Sequence, residues 1–355
     1  MTHRIACLNA VATAVPDHDI HRAFIAWAEP RIADARERAL FRRMTERSGI
    51  AQRWSVLPPG PDGGSPVSAG GFYATDPLPP TSARMALYAR EAPRLALAAI
   101  DGLGEIGAIS HLVVASCTGF VAPGIDQIIA AALGLGGAVE RTLIGFMGCY
   151  AAVAALRTAR HIVRSTPDAR VLVVTVELST LHLQPDNALE PLLSMLQFGD
   201  GAAAAIVSAE PVGFALDRFF CATLPESDAL IRWTIGDQGF AMHLSGEVPG
   251  RIGQALADPD FAATLRGEPP GDPIDAWAVH AGGRSILDAV EHGLGLAPDA
   301  LAESREVLAR HGNMSSSTLM FVLAALLERH DVRNGIAMAF GPGLAAEGFN
   351  FRAVG

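Results

Sequence analysis

The chain contains no lysine; all 27 of its basic residues are arginines. Schiff-base chemistry and lysine general bases are therefore excluded. Cysteine is scarce: Cys7, Cys117, Cys149 and Cys221 are the only four, and none falls in a CxxC spacing. That pattern argues against a zinc or thioredoxin-like site, and no metal is expected. Charge is sparse as well, at 18% of residues with a formal net charge of −10. An acidic balance argues against nucleic acid or an anionic membrane as the main partner. Long apolar runs are missing. Those around 142–156 and 312–327 are too short and too marked by Gly and Ser for a membrane span. Polar and charged residues interrupt residues 1–22, so no signal peptide is read there. A cytoplasmic protein is expected, in a compartment that keeps a working thiol reduced.

What is present is a large interior. The chain has 355 residues, 50% of them hydrophobic, enough for two domains or one two-part core. Residues 5–15 read as a first strand closed by Pro16, and residues 19–47 as a helix. That helix carries Arg31, Arg36, Arg38, Arg42, Arg43 and Arg47, with Arg53 just beyond. Interleaved acids make a solvated, ion-paired face one reading. Arginine forks suited to phosphate groups are the other. Residues 57–82 are a Pro/Gly/Ser-rich loop, and 83–103 a helix broken or kinked at Pro93. Further strands are read at 111–117, 170–177, 202–208, 212–220, 239–245 and 275–280. Helices are read at 125–135 and 251–266, and a Pro/Gly-rich connector at 267–273.

One stretch carries the strongest chemical signal. Gly145-Phe146-Met147-Gly148-Cys149-Tyr150 delivers a cysteine to the start of an alanine-rich helix. A helix N-terminus carries unpaired N–H groups and partial positive charge, which favours a thiolate nucleophile. A small buried hydrophobe is the plainer reading of such a cysteine. The second half echoes the first. GNMSSSTLMFVLAALL parallels GCYAAVAAL, and FGPGLAAEGFNF parallels FGDGAAAAIV. The echo suggests a duplicated α/β unit whose equivalent helices meet at the centre.

His280 ends an apolar strand before Gly282-Gly283, and Asn313 sits in a Gly-Asn-Met-Ser turn before a buried helix. Singly, the histidine reads as a satisfied structural residue and the asparagine as a helix cap. Together with Cys149 they form a Cys–His–Asn set at the ends of regular elements, where rigid scaffolds present catalytic groups. With its surrounding letters, this set resembles the type III polyketide synthases, the chalcone synthase-like family. The matching segments are FRRMTERSGI, GFMGCYAAVAALRTAR, QFGDGAAAAIV, AVHAGGRSILDAVEHGLGL, RHGNMSSSTLMFVL and AFGPGLAAEGFNF, in family order.

The resemblance implies an α/β thiolase-like fold of duplicated halves layered αβαβα, in a homodimer. Residues 1–210 would form the half carrying the nucleophile and 211–355 the half carrying His280 and Asn313. Cys149 would accept an acyl group from a starter acyl-CoA. His280 and Asn313 would stabilise the enolate formed when malonyl-CoA loses CO2, and a Claisen condensation would follow. Coenzyme A thioesters would be substrates, and no cofactor is expected. A His280–Cys149 pair would also keep the sulfur as thiolate. Phe198 matches a gatekeeper between the coenzyme A tunnel and the reaction chamber, or is simply a core phenylalanine. Arg43 and Arg47 match positions that bind coenzyme A phosphates, while Leu40 stands where plant members often carry a third basic residue.

Departures cluster in the cavity. His182 and Cys117 stand at threonine positions, Ala122 at that of a methionine sent across the dimer, and Met242 at a second gatekeeper aromatic. Trp233 and Phe240 replace small or aliphatic residues. Ala339 replaces the first glycine of a loop that keeps Phe340, Gly341, Pro342 and Gly343. Ser315 matches a cavity serine, or is an early-helix hydroxyl. These changes argue against a chalcone and toward a bacterial-type enzyme making a pyrone or an alkylresorcinol-like phenol. A carrier-protein-dependent β-ketoacyl synthase and a catalytically silent partner subunit are the alternatives.

Overall fold

The structure is a computed structural model, which describes residues 4–61, 63–166, 168–266 and 273–355. The first half runs β1 (Cys7–Ala14), β2 (His18–Asp19), α1 (His21–Ala28), α2 (Ala35–Arg47), β3 (Trp54–Ser55), α3 (Thr81–Asp101), β4 (His111–Ser116), α4 (Ile125–Ala132), β5 (Glu140–Gly145), α5 (Ala151–Ser165), β6 (Val171–Leu178), α6 (Leu189–Met195) and β7 (Asp200–Ser208). The second runs β8 (Gly213–Thr223), β9 (Ile231–Gly236), β10 (Gly239–Leu244), α7 (Val248–Ala257), α8 (Pro259–Arg266), β11 (Ala276–Val279), α9 (Arg284–Leu294), α10 (Ala302–His311), α11 (Ser316–Leu327), β12 (Asn334–Gly341) and β13 (Ala345–Val354).

Nine strands join in the order β11-β12-β13-β8-β1-β7-β6-β4-β5. Outward from the middle, the two sides repeat one pattern. β1 pairs antiparallel with β7, β7 antiparallel with β6, and β6 parallel with β4. Likewise β8 pairs antiparallel with β13, β13 antiparallel with β12, and β12 parallel with β11. The sides meet where β1 pairs with β8 through Cys7↔Ala215 and Leu8↔Phe214. This is the duplication that the sequence echo suggested, now visible as strand order.

The layers follow from which faces are apolar. β4 and β6 are buried at every residue, as expected of strands covered on both faces. Val113 and Ala115 of β4 face a central core, while Leu112 and Val114 face an outer one. β12 does the same on its side, with Ala337 and Ala339 inward and Ile336 and Met338 outward. α5 and α11 fill the central core between the two sides. α11 opens on buried Ser316, Ser317 and Thr318 and is apolar beyond them, as suits a helix that is mostly enclosed. α3 and α4 cover one outer face; α7, α9 and α10 cover the other. The result is the αβαβα arrangement of the thiolase fold.

Several elements depart from the sequence reading. The helix read over 19–47 is broken by a 3-10 turn at Glu29–Arg31, where Pro30 lies. α2 restarts after Asp34, whose Oδ1 accepts from the Arg36 and Glu37 N–H groups at 2.8 and 2.9 Å. α3, by contrast, runs unbroken through Pro93. The helix read over 251–266 divides at Asp258, which accepts from the Asp260 and Phe261 N–H groups. β2, β3, β5, β9, α6 and α10 have no counterpart in the sequence reading. β5 is mostly exposed, so it lacks the apolar run that marked its neighbours. Of the connector read over 267–273, residues 267–272 lie outside the described residues.

Candidate active site

Cys149 lies at the joint between β5 and α5. The chain leaves β5 with Phe146 at φ 56° and Gly148 at φ 75°. Cys149 then sits in a 3-10 turn, Gly148–Tyr150, that leads into α5 at Ala151. Glycine is required at 148: a Cβ there would stand 2.3 Å from Pro342 Cδ. The Gly148 N–H donates to Cys117 Sγ at 2.9 Å. Cys117 thus holds the nucleophile loop from behind.

His280 follows β11, its N–H donating to the Met338 carbonyl at 2.8 Å. Its side chain is 1% exposed, and neither ring nitrogen has a hydrogen-bond partner among the described residues. Burial alone pushes its pKa down to about 3, so the ring is neutral at pH 7. Asn313 donates through Nδ2 to the Gly282 carbonyl at 3.2 Å and accepts through Oδ1 from the Ser315 N–H at 2.8 Å. It does not cap α11; Ser315, at φ 48°, occupies that position. Phe198 is placed by its backbone, because Arg53 Nη1 donates to its carbonyl at 2.6 Å and to that of Met195 at 3.0 Å. Arg53 is therefore buried structural support and not part of the solvated arginine face.

Cys149, His280, Asn313 and Phe198 line one cavity of about 40 Å³, together with Met242, Phe340 and Gly341. Four positions from distant parts of the sequence thus converge. The charge state of the thiol differs from the sequence expectation. Burial pushes the Cys149 pKa up to about 12, against the opposing pull of Ser315 and Asn313. Burial thus favours the neutral form of both the thiol and the imidazole. What the site offers is a thiol beside two neutral N–H donor groups in a dry pocket, where such donors act strongly on developing negative charge.

His182 lies behind this chamber. Its Nδ1 accepts from the Phe240 N–H at 3.1 Å, so Nε2 carries the proton and donates to the Thr118 carbonyl at 2.8 Å. The ring stacks on Phe240 at 4.2 Å. Trp233, Phe146 and Phe120 extend the cluster with centroid spacings of 5.6 to 6.3 Å. A second cavity, of about 90 Å³, is lined by His182, Trp233, Phe240, Tyr73 and Leu57 among others. Phe198 and Met242 border both cavities and so form the partition between them.

Other expected cavity residues lie elsewhere. Cys117 lines neither cavity, because it faces the Gly148 backbone. Ala122, expected to face a partner's cavity and not its own, is exposed on this protomer, in a loop with a cis bond to Pro123. Pro342 packs on Gly148, and Gly343 forms the turn beyond it at φ 71°. Ser315 lines neither cavity but stands against the Cys149 thiol, where it closes no well-formed hydrogen bond.

Glu177 was missed in the sequence. It is fully buried at the end of β6, accepting from the Cys117 N–H at 2.9 Å, the Thr118 hydroxyl at 3.0 Å and the Ser316 hydroxyl. Burial raises its pKa to about 7. The available signal was a lone acid in the otherwise apolar run VLVVTVEL.

A wide surface cavity of about 680 Å³ opens between α2, α6 and α9. Leu40, Arg43 and Arg47 line one wall. Both arginines are exposed, and their guanidinium groups have no ion-pair or hydrogen-bond partner among the described residues. Others of the group are engaged: Arg42 pairs with Glu29, and Arg38 donates to the Ile32 carbonyl. Among the described residues, no group of three His, Cys, Asp or Glu side chains could hold a metal ion, and no helix is long and apolar enough to cross a membrane.

Comparison with known proteins bears on the family and the fold. The family model for the N-terminal domain of chalcone and stilbene synthases matches residues 2–211, and that for the C-terminal domain matches 216–355. The chain is 35% identical over 286 residues to the alpha-pyrone synthesis polyketide synthase-like Pks18 of Mycobacterium tuberculosis, covering 76% of this chain and 72% of that one. It is 34% identical to the bisdemethoxycurcumin synthase of Oryza sativa subsp. japonica, covering 86% and 81%. Among solved structures, PKS-I from the brown alga Ectocarpus siliculosus superposes over 100% of both chains, with a TM-score of 0.89 and 29% identity. Matched in both halves and across its whole fold, the chain belongs to the chalcone and stilbene synthase family, the type III polyketide synthases, and is an acyltransferase.

Proposed function

We propose that Cys149 takes an acyl group from a starter acyl-CoA and that His280 and Asn313 drive its extension with malonyl-CoA. One observation carries the reading: the two buried, unpartnered ring nitrogens of His280 share a cavity with Cys149 and Asn313. A buried donor left without a partner is costly unless a ligand supplies one. In the loading step, neutral His280 accepts the Cys149 proton as sulfur attacks the starter thioester. That proton then passes to the departing coenzyme A thiolate. In the second step, malonyl-CoA loses CO2 and the bonding pair becomes an enolate. Its oxygen is held by the His280 N–H and the Asn313 amide. The enolate carbon attacks the acyl-Cys149 carbonyl, a C–C bond forms, and the sulfur leaves as thiolate.

The starter is an aliphatic acyl chain whose tail passes Phe198 and Met242 into the second, mainly apolar cavity. The small chamber and the aromatic cluster behind it favour few extensions and release as an α-pyrone, with a phenolic product as the competing outcome. Pks18, whose name carries alpha-pyrone synthesis, supports that choice. The free Arg43 and Arg47 favour coenzyme A thioesters over a carrier protein as donors. Residues 1–210 supply the nucleophile and 211–355 the enolate-stabilising pair. The functional unit is a cytoplasmic homodimer without a cofactor. Exposed Leu143 in edge strand β5 and exposed Phe120 beside it support pairing there.

The test is incubation of purified protein with malonyl-CoA and acyl-CoAs of graded length, with products identified by mass. Turnover without carrier protein is expected, and Cys149→Ala abolishes it. Phe198→Ala joins the two cavities and shifts preference toward longer starters. Wild-type turnover in Cys149→Ala would refute the mechanism.

A further inference from the structure

We propose that Arg284 completes an anion clamp with Arg43 and Arg47 for the phosphorylated adenosine end of coenzyme A, taking the place left by Leu40; the proposal rests on the reading above. Leu40, Arg43 and Arg47 lie about one turn apart on α2 and line the same surface cavity. A basic residue at 40 would extend the arginine stripe, but leucine stands there. The missing charge comes from the opposite wall. Arg284 is the first residue of α9 and lines that cavity too. Its Nη1 donates to the Arg47 carbonyl at 3.3 Å, which ties its guanidinium to the end of α2.

The charge balance favours an anion there. The one carboxylate lining this cavity is Asp288, and its nearest oxygen stands 3.6 Å from Arg284 Nε. Asp288 is more closely engaged by Arg305, at 2.8 Å. Three guanidinium groups therefore border the cavity against one shared acid, in a protein whose formal net charge is −10. The side chain of Arg284 is 53% exposed, so it can turn toward a ligand without leaving the core. Arginine forks bind phosphate oxygens two at a time, and a cavity of this size accommodates a nucleotide.

The experiment compares malonyl-CoA with malonyl-N-acetylcysteamine, a thioester with no phosphate. Arg284→Ala should raise KM for malonyl-CoA about tenfold relative to KM for the truncated thioester, the size expected for one charge-assisted contact. Calorimetry with adenosine 3′,5′-bisphosphate should show a similar loss of affinity, and Leu40→Arg in the Arg284→Ala background should restore it. Equal changes for both thioesters, or an unchanged affinity for the bisphosphate, would overturn the proposal and leave Arg284 as a packing residue. The calorimetric arm needs no turnover. A wild type that binds the bisphosphate but consumes no malonyl thioester would count against the condensing reading while still deciding the clamp.

Discussion

Asn313 and Phe198 hold each other across the two halves of the molecule. They form an isolated parallel β-bridge, with the Asn313 N–H donating to the Gln197 carbonyl at 2.8 Å and the Gly199 N–H donating to the Asn313 carbonyl at 3.0 Å. The bridge uses backbone atoms alone. It places a side-chain donor and an aromatic partition on one cavity wall without either side chain contributing to the link.

The backbone link therefore survives a change of the Asn313 side chain, although the bonds of that side chain to the Gly282 carbonyl and the Ser315 N–H are lost. Asn313→Ala should slow decarboxylation of malonyl-CoA by roughly 10²–10³, the usual cost of removing one donor from an oxyanion site. Asn313→Asp should lose as much, since a carboxylate accepts where the amide donates. Release of CO2 measures the effect, and circular dichroism checks that the fold persists. A loss under tenfold would remove Asn313 from the enolate site.

Acid should destabilise the protein through buried histidines. His280 and His182 are pushed down to about 3, and His21 and His311 to about 4, all with burial as the largest cause. A depressed histidine is neutral when folded and takes up its proton on unfolding. Its contribution is complete above the ordinary value of 6.5 and is lost as pH falls toward the folded value. Glu177 and Asp200, both raised to about 7 by burial, act in the opposite sense, since the folded state holds their protons between the ordinary carboxylate range and pH 7. Four histidines outweigh two carboxylates, so the urea midpoint should fall between pH 6.5 and 5. His280→Asn should flatten that limb, and Glu177→Gln should steepen it.

How far this was readable from sequence depends on what each residue answers to. Cys149, His280, Asn313 and Phe198 lie at ends of apolar elements beside glycines, and that local punctuation made them visible as candidates. The duplication was legible in the paired Gly-led helices, because both must fill the same central layer. The resting charge of Cys149 was not. It depends on enclosure by β12, α11 and the Pro342 turn, which lie far along the chain. Cys117 was misassigned to the cavity for the same reason, since its partner, the Gly148 backbone, is distant in sequence. Strand β5 escaped notice because its exposed ERTLIG pattern resembles a loop.

The nucleophile loop itself offers the sharpest test of positioning. Gly148 combines φ 75° with a Cβ site 2.3 Å from Pro342 Cδ and 2.7 Å from Pro342 Cγ. The backbone beside Pro342 is close-packed too, since a Cβ on Gly341 would stand 2.6 Å from the Tyr150 ring. An alanine at 148 must therefore push the Cys149 turn, and a misplacement of about 1 Å can cost about 10² in rate. Gly148→Ala should keep the far-ultraviolet spectrum while slowing acylation of Cys149 about a hundredfold, followed by intact mass over time. Pairing it with Pro342→Ala separates two causes of that loss. If collision with the proline ring dominates, the double variant recovers most of the rate, and a double-mutant cycle shows strong coupling. If the left-handed backbone dominates, the two losses add, and Gly148 is needed for its conformation alone.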